Sequence, residues 1–424
     1  MDNYLTFYLI IHMLLKLLNP FIIIISTIIN ILTAPTTITT NVSLSIYIYR
    51  QRRIFKLKIK VNQNTLANHI SIVQRGISPR TTLQILDGIL LEAYNGKLKL
   101  TATDLEIGIE TYLDCNIIEE GSIVINSRIF GDIIRKLPNS TVSIEVEDNN
   151  INIKCESSEF NILGSNPHEY PTLPKVIDEN AFKIPKDLFK TAIKRTVFAT
   201  AKDETRPILT GVLLKLEGNK CSFVSLDGYR LALCNIAINT VNDIKIIIPG
   251  RVLEELSKIL GDEEEELLIS TSPGNIIFNL GDTIVTSRLL EGQFLNYKDI
   301  IREEHDTKII VNRKNLQASL ERASLLAKEE KANLVKLNIY DNQVVVKSNT
   351  EIGNVHEVIS SRQEGDDVNI AFNSKYLLDG IKVIDAEEIE LSFMGSLNPC
   401  IIKPVDDDNY TYLVLPVRLA QDDY

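Results

Sequence analysis

One stretch of this chain returns at a fixed distance. Ile85-Leu86-Asp87-Gly88-Ile89-Leu90-Leu91 reappears 123 residues later as Ile208-Leu209-Thr210-Gly211-Val212-Leu213-Leu214, and the same offset carries Asp104 onto Asp227 and Arg128 onto Arg251. A third copy follows: Leu214 maps onto Leu337, and Asn126-Ser127-Arg128-Ile129-Phe130 is echoed by Asn373-Ser374-Lys375-Tyr376-Leu377. The period far exceeds the repeat of a solenoid and matches an independent domain. Three homologous domains therefore fill the chain from about Lys56 to Leu419.

Within each copy the pattern predicts a short opening strand followed by an amphipathic helix. The opening strands are residues 57–61, 182–184 and 308–311. In the second copy Leu188, Phe189, Ala192, Ile193 and Thr196 form an apolar stripe, and Lys186, Lys190 and Lys194 form a cationic one. Asn-Gly and Gly-Asn turns at Tyr94-Asn95-Gly96-Lys97 and Glu217-Gly218-Asn219-Lys220 mark hairpins. A second helix is expected at 127–137, 250–260 and 374–384, with further strand pairs after it. Two helices on antiparallel strands in each copy define an α+β class, with six helices in all.

The formal net charge of -11 argues against a polyanionic partner until its distribution is examined. The six helical segments together carry +11, whereas the rest of residues 56–424 carries -25. A sign split on homologous elements favours one surface facing a polyanion and discourages binding elsewhere. No zinc-finger spacing or aromatic RNP-like strand accompanies the charge, so phosphate contacts without base readout are expected.

Five cysteines stand far apart without a C-x-x-C pair, and read as buried apolar residues in a reducing compartment. Asp104 and Glu106, Asp227 with Tyr229 and Arg230, and the acidic runs 263–266 and 406–408 are carboxylate groupings that could be imagined as acid/base or metal groups. Asp104 and Asp227 occupy equivalent positions in two copies, which suits a turn role better than one catalytic centre. No nucleophile-elbow, zincin or Walker A pattern is present. A non-enzymatic protein without a cofactor is expected.

Residues 1–55 lie outside the repeat and carry a net charge of +3. Residues 1–32 are long and apolar enough to span a bilayer, but Lys16 and Asn19-Pro20 interrupt them. We read the segment as an extension outside the fold; a membrane anchor holding a protein-binding scaffold is the alternative, and a signal or disordered tail a further one.

Several segments together resemble the bacterial β sliding clamp, the processivity factor of the replicative DNA polymerase. They are Thr103-Asp104-Leu105-Glu106, residues 203–211 (DETRPILTG), Asp227-Gly228-Tyr229-Arg230-Leu231-Ala232 and the terminal residues 412–419 (YLVLPVRL). The resemblance implies clamp domains at 56–178, 179–304 and 305–419, with 420–424 an acidic tail. It further implies a head-to-tail homodimer closing a six-domain ring around duplex DNA, in the cytoplasm, with the helices lining the hole.

Carried over residue by residue, the resemblance assigns DNA contacts to Arg80 and to the loop Lys202 to Arg206; Lys190 and Lys194 are added from the helical face. It assigns the ring joint to Phe160 and Ile162 on one side and Leu325 and Leu326 on the other. A cleft for short peptide motifs would be walled by Leu209, Gly228, Tyr229, Arg230, Leu231, Leu295, Ile300, Val414, Leu415, Pro416, Val417 and Arg418. Its users would be the replicative polymerase's catalytic subunit, the clamp loader and other proteins bearing the motif. The chain departs from the family at Leu295, often Pro, at Leu226, commonly small and polar, and in the tail 420–424, which would partly screen the cleft.

Overall fold

The computed structural model describes residues 56–78, 81, 83–174, 181–203, 205–238, 243–261, 265–302, 304–329 and 332–418. The N-terminal extension, Arg80 and the acidic tail lie outside them. Each copy opens with a strand, Lys56–Asn62, Ala181–Pro185 or Thr307–Asn312, that runs into a helix: α1 (Gln63–Val73), α3 (Lys186–Thr196) or α5 (Arg313–Ala327). A second helix follows the next strands: α2 (Ser127–Lys136), α4 (Gly250–Ile259) or α6 (Ser374–Lys382). The helices pack in pairs, α1 on α2, α3 on α4 and α5 on α6.

Local chemistry sets these boundaries. Asn62, Asn126, Asn312 and Asn373 cap α1, α2, α5 and α6, each side chain accepting a backbone N–H of the first turn. The middle copy has Pro185 and Pro249 at the corresponding positions, with no side-chain cap. The first N–H of α1, α3 and α5 is instead taken by a carbonyl of the same copy in all three: Ser140 (3.0 Å), Glu265 (2.9 Å) and Glu387 (2.8 Å). The hairpins turn where expected, with Asn95 and Gly96 at φ 54° and 78° and Gly218 at φ 57°. A third hairpin, not signalled by Gly, turns on Asp341 and Asn342 at φ 49° and 58°.

The strands form three antiparallel sheets. The first domain keeps a five-stranded sheet of its own, ordered Asn116–Glu119, Lys56–Asn62, Thr141–Glu147, Asn150–Cys155 and Ser158–Leu163. Its other strands belong to an eight-stranded sheet that crosses into the second domain, where Thr283–Arg288 pairs with Ile107–Asp114. A twelve-stranded sheet likewise joins the second domain to the third, through Arg230–Ala237 and Tyr410–Val414. Both joints are thus continuous backbone ladders.

The helices bury their apolar stripes on these sheets; in the second domain Phe189 meets Phe223 at 5.4 Å and Phe278 at 5.8 Å between ring centroids. Two expectations for α3 are corrected here. Lys186 is buried and bonds Glu265 at 2.5 Å, so it leaves the cationic face, whereas Leu188 is exposed rather than part of the stripe. Cys155, Cys221, Cys234 and Cys400 are buried thiols and Cys115 is half-buried. Among the described residues no helix is long and apolar enough to cross a membrane.

Ion pairs reinforce the first joint: Arg251 reaches Asp104 at 2.5 Å, and Arg75 reaches Glu255 at 3.1 Å. Burial works against the Glu255 carboxylate, yet Lys258 and Arg75 hold its pKa below the ordinary value. A carboxylate depressed in the folded state adds stability above its unfolded pKa and loses it as pH falls through the folded one. Urea midpoints measured from neutral pH down through the carboxylate range should therefore fall more steeply for the unmodified chain than for Glu255→Gln.

Candidate functional site

Asp104 and Asp227 fold equivalent turns. The Asp104 carboxylate accepts the N–H of Glu106 (3.1 Å) and Ile107 (3.0 Å); that of Asp227 accepts those of Tyr229 (2.9 Å) and Arg230 (3.1 Å). The residue between is left-handed in both, Leu105 at φ 80° and Gly228 at φ 93°. The second oxygen of each carboxylate serves the neighbouring joint. Asp104 takes Arg251, and Asp227 takes Arg230 Nε at 3.0 Å.

Arg230 is the centre of the second joint. Its side chain is 5% exposed; Nη1 donates to Asp379 of α6 (2.6 Å) and Nη2 to the Phe198 carbonyl (2.8 Å). The guanidinium lies 4.6 Å from the ring centroid of Tyr376 and 5.4 Å from that of Phe198. Burial opposes its charge, but Tyr412, Asp379 and Asp227 outweigh it and raise the pKa above the ordinary arginine value. The expected cleft residue is thus occupied within the protein. Its neighbour Tyr229 is exposed and stacks on Tyr376 at 5.9 Å.

The remaining cleft residues gather around this joint. Leu209 and Leu231 are buried in a small apolar cluster with Leu226, Phe294, Tyr297 and Leu413, so Leu226 fills core beneath the cleft rather than lining it. Val414 is buried at the end of the cross-domain strand. After it the chain is pinned on both sides, Leu415 N–H to Tyr229 O and Val417 N–H to Ala371 O, each 2.8 Å. Gly228, Tyr229, Leu295, Ile300, Leu415 and Arg418 are exposed, and Pro416 and Val417 half-buried. A cavity of about 260 Å³ lies beside Ile300, with Arg302, Met394, Pro399, Ile401 and Leu413 in its walls. Met394 and Arg302 were not anticipated, because they follow strand and loop segments without a motif.

The expected DNA contacts are less uniform. Lys190 Nζ donates to the Leu260 carbonyl at 3.0 Å, Lys194 lies 3.8 Å from Asp385, and Lys202 lies 3.5 Å from Glu254. Lys194, Lys202 and Arg206 are exposed. Four further helix cations, Arg128, Lys136, Lys314 and Lys375, are exposed and form no ion pair among the described residues. Sequence position alone could not separate them from paired ones such as Arg135, which holds Asp132 at 2.7 Å. The expected ring-joint residues divide between an outer strand, Ser158–Leu163, carrying Phe160 and Ile162, and the C-terminal turn of α5, carrying Leu325 and Leu326.

Comparison with known proteins accords with this geometry. Models of the DNA polymerase III beta subunit match all three units: its N-terminal domain at residues 57–174, its central domain at 183–296 and its C-terminal domain at 298–418. They define the class, a three-domain beta subunit of a replicative polymerase. The beta sliding clamp of Bacillus subtilis (strain 168) is 38% identical over 376 residues, covering 85% of this chain and 100% of its own. That of Staphylococcus aureus (strain COL) is 36% identical over 374 residues, covering 85% and 99%. A crystal structure of the Bacillus subtilis sliding clamp superposes with a TM-score of 0.83 at 37% identity, covering 86% of this chain and 100% of that one. The chain belongs to the bacterial beta sliding clamp family.

Arg230 generates a test of the joint. Truncation would leave Asp227 and Asp379 facing each other without their shared cation, and breaking a buried ion pair from one side costs about 3–5 kcal/mol. Arg230→Ala should lower the urea midpoint by a corresponding amount, and Arg230→Lys should restore only part of it because lysine lacks the planar fork.

Proposed function

We propose that two copies of this chain close head to tail into a six-domain ring that encircles duplex DNA. The ring tethers the replicative polymerase and other replication and repair proteins without reading sequence. The observation that carries this reading is the repeated joint: each domain of the chain continues its neighbour's sheet, while the six helical segments of the sequence carry +11 in an otherwise acidic body. Half a ring is built in one chain, and a heterologous contact that closes on itself completes it.

DNA would be met by Arg80, Lys190, Lys194, Lys202 and Arg206, together with Arg128, Lys136, Lys314 and Lys375. Most helix cations already hold a carboxylate within the protein, which suits sliding: contacts to phosphate remain weak and exchangeable. The exposed apolar residues around Tyr229, Leu295, Ile300 and Leu415 form the landing for a linear peptide of the polymerase's catalytic subunit, the loader or other users. The ring performs no catalysis itself and works in the cytoplasm, where a clamp loader opens it.

Topology distinguishes this function from ordinary affinity. Loaded onto a nicked circle by a clamp loader, the protein should stay bound through gel filtration and be lost when the circle is linearised. Retention on the linear product, graded by salt, would overturn the reading. For the cleft, Leu415→Asp should weaken binding of a fluorescent peptide carrying the polymerase motif by about tenfold or more, a loss of roughly 1.4 kcal/mol. Fluorescence anisotropy reads it, and unchanged affinity would place the peptide elsewhere.

A further inference from the structure

One end of each joint inside the chain carries a link from a helix of one domain to a turn of the next, and the two links differ in chemistry. At the first joint His69 Nδ1 of α1 lies 2.6 Å from Thr111 Oγ1, Thr111 Oγ1 lies 3.0 Å from Thr283 Oγ1, and Thr283 donates to Asp282 Oδ1 at 3.0 Å. Thr111 and Thr283 are buried and face each other across the ladder, so the chain of hydroxyls runs through the joint itself. At the second joint the same ladder positions hold Cys234 and Tyr410. Flanking bonds fix the correspondence: Tyr112 N–H to Asp282 O (2.9 Å) in the first and Asn235 N–H to Asn409 O (2.7 Å) in the second. There Arg195 of α3 spans the boundary directly, donating to Asp407 at 2.8 Å with its guanidinium 5.5 Å from the Tyr410 ring centroid. Burial works against the Asp407 carboxylate, but the Asn409 N–H and Arg195 hold its pKa below the ordinary value, so this link stays ionised through the imidazole range. One link has a permanent cation; the other ends on a group that titrates near neutral pH.

The Asp282 carboxylate sets the direction of the first chain. An ionised carboxylate only accepts, and each threonine has one hydroxyl hydrogen. Thr283 gives its own to Asp282, so Thr111 donates to Thr283 and His69 Nδ1 must donate to Thr111. His69 is therefore held with a proton on Nδ1, and a second proton, on Nε2, leaves the chain intact while adding charge. Burial of the ring disfavours that charge and keeps the pKa below the ordinary imidazole value, with Asp282 offsetting part of the effect. The other charged groups near α1 are engaged elsewhere or turned away. Glu110 and Tyr112 flank Thr111 but point to the opposite sheet face, where Lys97 and Lys99 also stand and Lys99 holds Glu110. The opening strand carries Lys56, Lys58 and Lys60 on its outer face, Lys58 meeting Glu145 at 3.0 Å. On α2, which carries Arg128, Asp132, Arg135 and Lys136, Arg135 holds Asp132, and Arg75 beyond α1 holds Glu255. Asp282 is the one charge that acts on His69.

We propose that this chain makes the first joint, and not the second, responsive to acid: when Thr111 and Thr283 part, His69 meets water and takes up a proton, so acidification favours the parted joint. The sign follows from linkage. A group whose pKa is depressed in the closed state adds stability that is intact above its ordinary value, 6.5 for this imidazole, and is lost as pH falls below that toward the group's own lower value. Local opening of this kind is confined to the ladder between Ile107–Asp114 and Thr283–Arg288. The link at the second joint, a guanidinium on a carboxylate, has nothing to titrate in that window.

Hydrogen exchange tests the joint, read by mass spectrometry on the full chain at about pH 8 and about pH 5.5, either side of the imidazole range, with intrinsic rates corrected for. His69→Gln keeps an amide donor for Thr111 but cannot titrate. On acidification the unmodified chain should lose protection in residues 107–114 and 283–288, His69→Gln should not, and residues 230–237 and 410–414 of the second joint should keep theirs in both proteins. No loss, a loss of equal size in His69→Gln, or a loss at both joints overturns the proposal. The chain has five histidines, so ring ¹⁵N spectra are tractable, and the signal missing from His69→Gln identifies His69. It should show the Nδ1–H tautomer and a protonation midpoint that falls further in Asp282→Asn, which keeps the hydrogen bond and removes the charge. An Nε2–H tautomer, or a midpoint that Asp282→Asn does not move, overturns the chain.

Discussion

The backbone hydrogen-bond ladder that crosses each domain boundary is the constraint on which the rest of the molecule depends. Polar backbone at a sheet edge must find a partner or face water. Here the edges of one domain are satisfied by the next, so domain order, spacing and relative orientation follow from strand pairing rather than from side-chain fit. Side chains then fasten what the ladder has placed: Arg251 on Asp104 at the first joint, Arg230 between Asp227 and Asp379 at the second. The exposed surface beside Tyr229 takes its shape because the final strand is drawn across that boundary and its continuation is tied to Ala371.

The charge arrangement has a similar logic. An acidic body with cationic helices steers a polyanion to one side, but the helix cations are largely engaged with nearby carboxylates, as Lys194 is with Asp385 and Lys382 with Glu321 at 3.1 Å. Surface pairs of this kind add little stability. Their effect is to moderate the field, leaving a few cations, such as Arg128 and Lys375 at equivalent helix starts, without an ion pair among the described residues.

Much of this was legible in the sequence because it is local. Helix positions followed from apolar period, and two hairpins from their Gly-containing turns; the third, on Asp341-Asn342, lacked that signal. The family followed from short segments around Asp104, Asp227 and the C-terminal strand. What was not legible depends on distant partners. Lys186 looks like a surface lysine until Glu265, in the loop before the second domain's next strand, is brought against it. Arg230 looks like a ligand-binding residue until Asp379 arrives from the third domain. Strand register across a joint has no sequence signature at all, since alternating apolar strands pair equally well in several offsets. Arg80 and the acidic tail fall outside the described residues.

The two Asp-capped turns show what a repeated fold makes available during divergence. Because the carboxylate and its backbone bonds fix the turn, the residues it displays are free to change. Leu105 accepts a left-handed backbone that suits Gly228 far better, a strain on the order of 1 kcal/mol. Glu106 stands where the other copy presents Tyr229. A duplicated domain can therefore keep one copy of a surface as plain architecture while another copy of the same surface acquires a binding role, with no change in the path of the chain.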